Sequence, residues 1–163
     1  MRLFRAAAAV ALLLSGPATA QQLAAPPELG FAARMPRAWC GVFRWDHDQI
    51  AQHVTIRFDR FEARADGKIE ATGPGLVRTG RTVPFIMRAV IDPATRAIEL
   101  FESLEAPVPG YVTDGSHVGE LAADLQSMRV VWTTRGTAER GAMELNARPA
   151  AAELAQACAP PSS

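Results

Sequence analysis

Hydrophobic and polar residues alternate with a period of two along most of the chain from Trp39 onward. Successive side chains of a β-strand point to opposite faces, so this alternation predicts strands with one buried face. Turn-forming residues such as Asp66-Gly67 separate the alternating segments. Eight strands are predicted: Trp39 to Trp45, His53 to Ala63, Lys68 to Thr72 with a continuation to Thr79, Thr82 to Ile91, Ala97 to Leu104, Val118 to Leu121, Met128 to Trp132, and Met143 to Ala147.

Two of these strands carry local irregularities. In the second strand, the alternation that groups Ile56 with Phe58 places Phe61 on the opposite face. This one-residue slip near Asp59-Arg60 predicts a β-bulge or a strand that changes face. In the fourth strand, Pro84 has no backbone N–H to donate to a neighbouring strand, so that part of the strand is expected at an edge or rim.

Consecutive strands joined by short turns predict an antiparallel meander. Such a meander must hide its free edges by closing into a barrel or by folding as two packed sheets. Cys40 and Cys158 are the only cysteines, and a disulfide between them requires α-carbons within about 7 Å. A bridge would bring the two ends of the meander together. A catalytic or metal-binding thiol is less favoured, because the chain has no C-x-x-C motif and no histidine beside either cysteine.

The predicted fold is therefore all-β: an eight-stranded antiparallel meander, closed as a barrel, with one disulfide. The segment Ala150 to Ala157 follows Pro149, is rich in helix-forming residues and is predicted to form a short C-terminal helix. The topology is similar to that of lipocalin and avidin barrels. Trp39-Cys40-Gly41 runs in the reverse order of the Gly-x-Trp lipocalin signature, so the sequence assigns no family.

The first twenty residues have the order of a secretory signal peptide. Met1 to Arg5 is positively charged, Ala6 to Leu14 is apolar, and Ala18-Thr19-Ala20 matches an A-x-A cleavage site. The apolar segment is short for a membrane-spanning helix, which disfavours the alternative of an N-terminal anchor. We therefore predict residues 1–20 as signal peptide, a Pro-rich extended leader over residues 21–37, and a barrel domain with a C-terminal tail over residues 38–163.

Charge narrows the range of partners. The full chain has 17 basic and 17 acidic residues, and removal of Arg2 and Arg5 with the signal peptide leaves 15 basic and 17 acidic, a net charge of −2. Without a basic surplus, nucleic acid is not an expected partner. The mature chain also has no apolar run long enough to span a membrane. The protein is expected to be exported, with the periplasm favoured over the extracellular medium.

A metal-site hypothesis concerns the loop after the first strand. Asp46, Asp48 and His53 are weak candidates for metal ligands, because carboxylate and imidazole groups bind divalent cations. Their spacing matches no specific metal motif, and a polar loop is the simpler interpretation. No metal and no cofactor is predicted.

Two further groups of residues resemble catalytic sets. Asp114-Gly115-Ser116-His117, preceded by Tyr111, combines a carboxylate, a hydroxyl and an imidazole. Neighbouring strand residues face opposite sides, so this segment is interpreted as a turn and no catalytic residue is assigned. The second group is acidic and lies opposite a strand that carries Arg88. It is expected to form cross-strand charge pairs on a solvent-exposed face, and its members are Glu99, Glu102 and Glu105.

The leading functional hypothesis is an exported, non-catalytic β-barrel domain that binds a small apolar ligand. An eight-stranded barrel can hold one small ligand, although side chains can also fill it. The candidate cavity residues are the large inward-facing side chains Phe43, Phe58, Phe85 and Trp132. The alternative is an envelope protein–protein assembly module that docks through residues 21–37 and Pro107 to Tyr111. A hydrolase or metal-dependent enzyme is the third hypothesis.

Overall fold

The computed structural model of the protein describes residues 27–48, 50–134, 138–149 and 158. Within these residues it contains one helix, α1 (Pro27–Arg34), and nine strands. The strands are β1 (Ala38–Trp45), β2 (Ala51–Arg57), β3 (Arg60–Ala63), β4 (Ile69–Thr79), β5 (Arg81–Ile91), β6 (Ala97–Ser103), β7 (Gly115–Leu121), β8 (Ser127–Thr134) and β9 (Arg140–Arg148). The predicted signal peptide lies outside the described residues.

The strands form one closed antiparallel barrel. Each strand from β4 to β8 pairs with the next along the chain, and β9 pairs with β1. The circle closes because β2 pairs with β1 on one side and with β4 on the other. β2 and β3 together act as one bent strand, since β3 pairs with the first part of β4 and β2 with the later part. The predicted eight-stranded barrel is confirmed.

The bend between β2 and β3 lies where the alternation slips. Phe58 turns away from β4, and its backbone N–H donates to the carbonyl oxygen of Arg37 at 2.8 Å. Asp59 then returns to β4 by donating its N–H to Thr72 at 2.9 Å. This detour allows Phe58 to be fully buried while Phe61 lies on the other parity. The predicted irregularity near Asp59-Arg60 is therefore a break between two strands.

The position of Pro84 agrees with its missing donor. It pairs with Leu76 of β4, but the ladder between β5 and β6 begins only at Ile86 and Ser103. Pro84 thus lies in a part of β5 that has a sheet partner on one side. A proline is tolerated there because its nitrogen is not needed for a second ladder.

Inward-facing side chains fill the centre of the barrel. The clearest case is β5, in which every second residue from Val83 to Ile91 is buried. A barrel of eight strands is just wide enough for its interior to be packed by side chains. Those with no exposed surface include Ile56, Phe58, Met87, Leu100, Val130, Met143 and Leu145. Large apolar side chains therefore occupy the middle of the barrel as a core.

The described helix is N-terminal, whereas the sequence predicted an extended leader over residues 21–37. Pro27 begins α1, Glu28 lies in its first turn and Arg34 in its last, an order that suits the helix dipole. Phe31 of α1 and Met35, the residue after the helix, both join the barrel core, and α1 contacts β3. Burial of these two side chains explains the helix. The predicted C-terminal helix, Ala150 to Ala157, lies outside the described residues.

A disulfide joins Cys40 of β1 to Cys158, with α-carbons 5.6 Å apart. Cys40 lies opposite Asn146 of β9, so the bridge reaches the barrel wall where the first and last strands meet. The predicted bridge and the predicted meeting of the two ends are confirmed. None of the described residues forms a helix long and apolar enough to span a membrane.

Candidate functional site

The barrel has two different ends. α1 packs near the end where β1 begins, and we call the opposite end, where β1 finishes at Trp45 and β7 begins at Gly115, the mouth. A cavity of about 70 Å³ opens at the mouth. It is lined by four aromatic side chains, Phe43, Trp45, Tyr111 and Trp132, and by polar side chains that include Glu102. The mouth is the candidate functional site.

Glu102 enters the barrel because of its position in β6. Ile98 and Leu100 of that strand are buried, and the two-residue period gives Glu102 the same inward direction. Its side chain is 11% exposed. The expectation of a solvent-exposed charge pair with Arg88 is therefore wrong for Glu102. The guanidinium of Arg88 instead lies 4.2 Å from the ring centre of Phe101 on the outside of the barrel.

Glu102, His117 and Tyr111 form a buried polar cluster, which we call the Glu102 cluster. The Tyr111 hydroxyl donates to Oε2 of Glu102 at 2.7 Å. Nε2 of His117 lies 3.1 Å from Oε1 of the same carboxylate. Because both carboxylate oxygens accept hydrogen bonds, the arrangement suits the ionised form of Glu102. The cluster holds a carboxylate in a fixed orientation at the cavity wall.

The hydrogen-bond pattern also assigns the tautomer of His117. With the ring proton on Nε2, His117 donates to Glu102, and Nδ1 carries a lone pair. The His117 side chain is 4% exposed, and Nδ1 finds no hydrogen-bond partner among the described residues. Nδ1 therefore lies buried behind the hydrogen bond that joins Nε2 to the Glu102 carboxylate.

Burial raises the pKa of the Tyr111 hydroxyl well above its ordinary value of 10, and the neighbouring charge of Glu102 raises it further. Tyr111 therefore stays protonated and remains a donor throughout the neutral and moderately alkaline range. It belongs to the connection between β6 and β7, residues 104–114, which crosses the mouth.

We expect Tyr111 to resist ionisation in the folded protein. It is the only tyrosine in the chain, so ultraviolet titration of phenolate reports on it alone. In urea-unfolded protein phenolate should form near pH 10, whereas folded protein at pH 11 should show none. Because the unfolded state alone loses this proton, stability should be full below pH 10 and fall as the pH rises above it. Equal titration curves for the two states would contradict the burial of this hydroxyl.

The same connection is held over the mouth at two further points. Arg81, at the start of β5, donates from its guanidinium to the carbonyl oxygen of Pro109. The backbone N–H of Tyr111 donates to Val108 at 3.0 Å and closes a tight turn. Together with the Tyr111–Glu102 hydrogen bond, these contacts tie the connection to the barrel wall.

The aromatic side chains meet edge to face. The ring centres of Phe43 and Trp45 are 4.9 Å apart, and those of Trp45 and Trp132 are 4.8 Å apart. Two glycines make room for them: a Cβ on Gly141 would lie 2.2 Å from the Phe43 ring, and a Cβ on Gly115 would lie 2.7 Å from Trp132. Any larger residue at these positions would force the rings to move.

The four predicted cavity residues do not surround one cavity. Phe43 and Trp132 line the mouth cavity, but Phe58 is fully buried in the core. Phe85 contributes to a separate groove of about 430 Å³ on the barrel wall, beside Pro84. The alternation correctly indicated that all four face inward. It carried no information on their height along the barrel axis, which decides which of them reach the mouth.

The three weak metal candidates do not converge. Asp48 accepts a hydrogen bond from the backbone N–H of Ile50 at 2.9 Å, so it stabilises the turn after β1. Asp46 is exposed in the same turn, and His53 is exposed on β2 opposite Arg78. In the part of the chain that the structure describes, no group of three or more His, Cys, Asp or Glu residues could hold a metal ion.

The hydroxyl and imidazole of the Asp114 to His117 segment also separate. His117 points into the barrel, while Ser116 lies on the outer face opposite Thr133. His117 does not line the mouth cavity but supports Glu102 from behind. The role of Glu102 was missed by sequence reasoning, although its alternation with Ile98 and Leu100 was an available signal.

Comparison of the chain with protein-family models, curated proteins and solved structures finds no significant match. A functional interpretation therefore rests on the geometry of the mouth and of the Glu102 cluster.

Proposed function

We propose that this protein is an exported, non-catalytic binding domain that takes a small ligand at the mouth of its barrel. The observation that carries the proposal is the mouth cavity, in which four aromatic rings lie beside an oriented, largely buried carboxylate. A concave site with apolar walls and a few fixed polar groups is the usual form of a small-molecule site. The disulfide is compatible with an oxidising location outside the cytoplasm, for which we propose the periplasm.

The packed core limits how deep a ligand can enter. Fully buried side chains such as Met87, Leu100 and Met143 occupy the middle of the barrel. The cavity of about 70 Å³ lies above them. We therefore propose a ligand, or a ligand head group, of only a few non-hydrogen atoms, held near the rim and not enclosed in a deep barrel pocket.

The arrangement of the mouth favours binding over catalysis. A hydrolase using His117 would need a nucleophile near its free nitrogen, but Ser116 lies on the opposite face of the strand. Nε2 of His117 is occupied by Glu102, and His117 itself does not line the cavity. Tyr111 and His117 therefore act as supports for the Glu102 carboxylate.

The alternative of a protein–protein assembly module loses part of its proposed docking surface. Phe31 and Met35 of the predicted leader are buried in the core, where they are not accessible to a partner. Pro107 and Pro109 of the connection over the mouth remain exposed. This connection also covers the cavity, so its contacts fit a role in ligand binding equally well.

Binding at the mouth can be tested with three compact probes of matched size: tetramethylammonium, tert-butanol and propionate. We expect at least one of them to shift the NMR signals of the Trp45 and Trp132 indoles, while the signals of α1 at the other end stay unchanged. Such small probes make few contacts, so dissociation constants of about 1 to 100 mM are expected.

A blocking variant and a matched control complete this test. Val112 and Val118 are both exposed, but only Val112 lines the mouth cavity. Val112→Trp should fill the cavity and remove the probe-induced shifts, whereas Val118→Trp should preserve them. If none of the three probes shifts the signals at the mouth of the wild-type protein, the proposed function is wrong.

A further inference from the structure

We propose that the ligand of the mouth cavity is a small organic cation, with a primary or quaternary ammonium group placed between Glu102 and the aromatic rings. This inference rests on the proposed binding function and assigns the chemical class of the ligand. It follows from the charge of the Glu102 cluster, the nature of the cavity walls and the size of the space.

The first argument concerns charge. Glu102 lines the cavity with a side chain that is 11% exposed, and it accepts hydrogen bonds from Tyr111 and His117. Tyr111 is an uncharged donor, so its hydrogen bond orients the carboxylate without neutralising its charge. The cluster presents this carboxylate to the cavity. In a site partly screened from water, this charge attracts a cation more strongly than the same charge would in bulk solvent.

The second argument concerns the cavity walls. Phe43, Trp45 and Trp132 offer aromatic surface within the same small space. The faces of aromatic rings carry partial negative charge and attract ammonium groups, and tryptophan attracts them more strongly than phenylalanine or tyrosine. A carboxylate surrounded by aromatic rings is thus complementary to a cation that also has apolar surface, such as a methylated amine.

The third argument concerns size. The cavity volume of about 70 Å³ is roughly half of the 150 Å³ that admits benzene in an engineered apolar cavity. A compact head group such as an ammonium group is therefore the expected occupant, since the space does not enclose a whole drug-sized molecule. A larger molecule could bind only by placing such a group in the cavity and leaving its remainder outside the mouth.

The positive charge of Arg81 would repel a cation in the cavity, so its removal tests the proposal. Its guanidinium lines the cavity at the exposed rim, where it is held by the carbonyl oxygen of Pro109. There it must weaken the binding of a cation and strengthen that of an anion. Replacement of Arg81 by glutamine removes the charge but keeps an amide that can still donate to Pro109.

The test measures the affinities of tetramethylammonium, tert-butanol and propionate at constant ionic strength. We expect tetramethylammonium to bind at least about tenfold more tightly than the neutral probe, from cation–π and carboxylate attraction together. Glu102→Gln should reduce this preference to the part that cation–π attraction supplies. Glu99→Gln is the matched control, because Glu99 lies on the outer face of the same strand and its replacement should leave the preference intact.

A second variant keeps the test decisive if Glu102→Gln proves unstable. In Arg81→Gln we expect tighter binding of tetramethylammonium, by about threefold or more, and weaker binding of propionate. If tert-butanol or propionate binds the wild-type mouth as tightly as tetramethylammonium, the cation proposal is overturned while the binding function stands. If no probe binds, both the cation proposal and the proposed binding function are wrong.

Discussion

Replacement of both Cys40 and Cys158 by serine will lower the free energy of unfolding by about 4 kcal/mol. The two cysteines are 118 residues apart in sequence, so the bridge closes a very long loop of the unfolded chain. Restriction of the unfolded chain grows with loop length and accounts for most of the expected loss in the chain-entropy model. A typical domain is stable by only about 5 to 15 kcal/mol, so this change removes a large share. Urea unfolding of the oxidised wild type and the double variant measures it.

The single variants provide the control for this experiment. Cys40→Ser and Cys158→Ser should each lose as much stability as the double variant, because either change removes the same bond. The reduced wild-type protein should match all three. If the reduced protein had the same free energy of unfolding as the oxidised protein, the disulfide would not contribute to stability.

Glu102→Leu is expected to destabilise the protein by about 3 kcal/mol, because it leaves the buried donors of His117 and Tyr111 without an acceptor. Removal of a buried carboxylate also relieves a desolvation penalty, which offsets part of the loss. The two hydrogen bonds prevail in this balance because both are made to an ionised group, and such bonds are the stronger ones. Thermal or urea unfolding at neutral pH gives the difference.

Two matched variants distinguish the loss of hydrogen bonds in the Glu102 cluster from a general effect of replacing glutamate by leucine. Glu99→Leu, on the outer face of β6, should change stability by less than about 0.5 kcal/mol. The double variant Glu102→Leu with His117→Leu should recover part of the lost stability, because His117 then no longer leaves a donor unpaired. If Glu102→Leu were as stable as the wild type, the assignment of the cluster as a fully hydrogen-bonded unit would be wrong.

Much of the fold could be predicted because a strand repeats its orientation every two residues. In β5 this period alone indicated that Val83 to Ile91 would bury alternate residues, as they do. A slip in the same period near Asp59-Arg60 indicated the break, which the structure places at Phe58 and Asp59. To predict barrel closure, one further observation was needed, the pair of cysteines. Cys40 and Cys158 can form a disulfide only if the two ends of the meander meet.

The helix could not be predicted by the same reasoning. The segment from Pro27 to Arg34 is short, and a helix of that length is marginal on its own in water. It forms because Phe31 and Met35 find a place in the barrel core, which exists only after the strands have closed. Local propensity was overridden here by a tertiary contact.

In the candidate site too, some features follow from the sequence alone and others only from the tertiary structure. By itself, the sequence determined the alternating strands, an irregularity near Asp59-Arg60, the cysteine pairing that favours closure, and the inward direction of Phe43 and Trp132. Only the tertiary structure decided that Glu102 would meet both Tyr111 and His117, which lie 9 and 15 positions away in the chain. The reason is physical: orientation along a strand is a local property of the backbone, whereas partners, depth and cavity size depend on how separate strands come together in space.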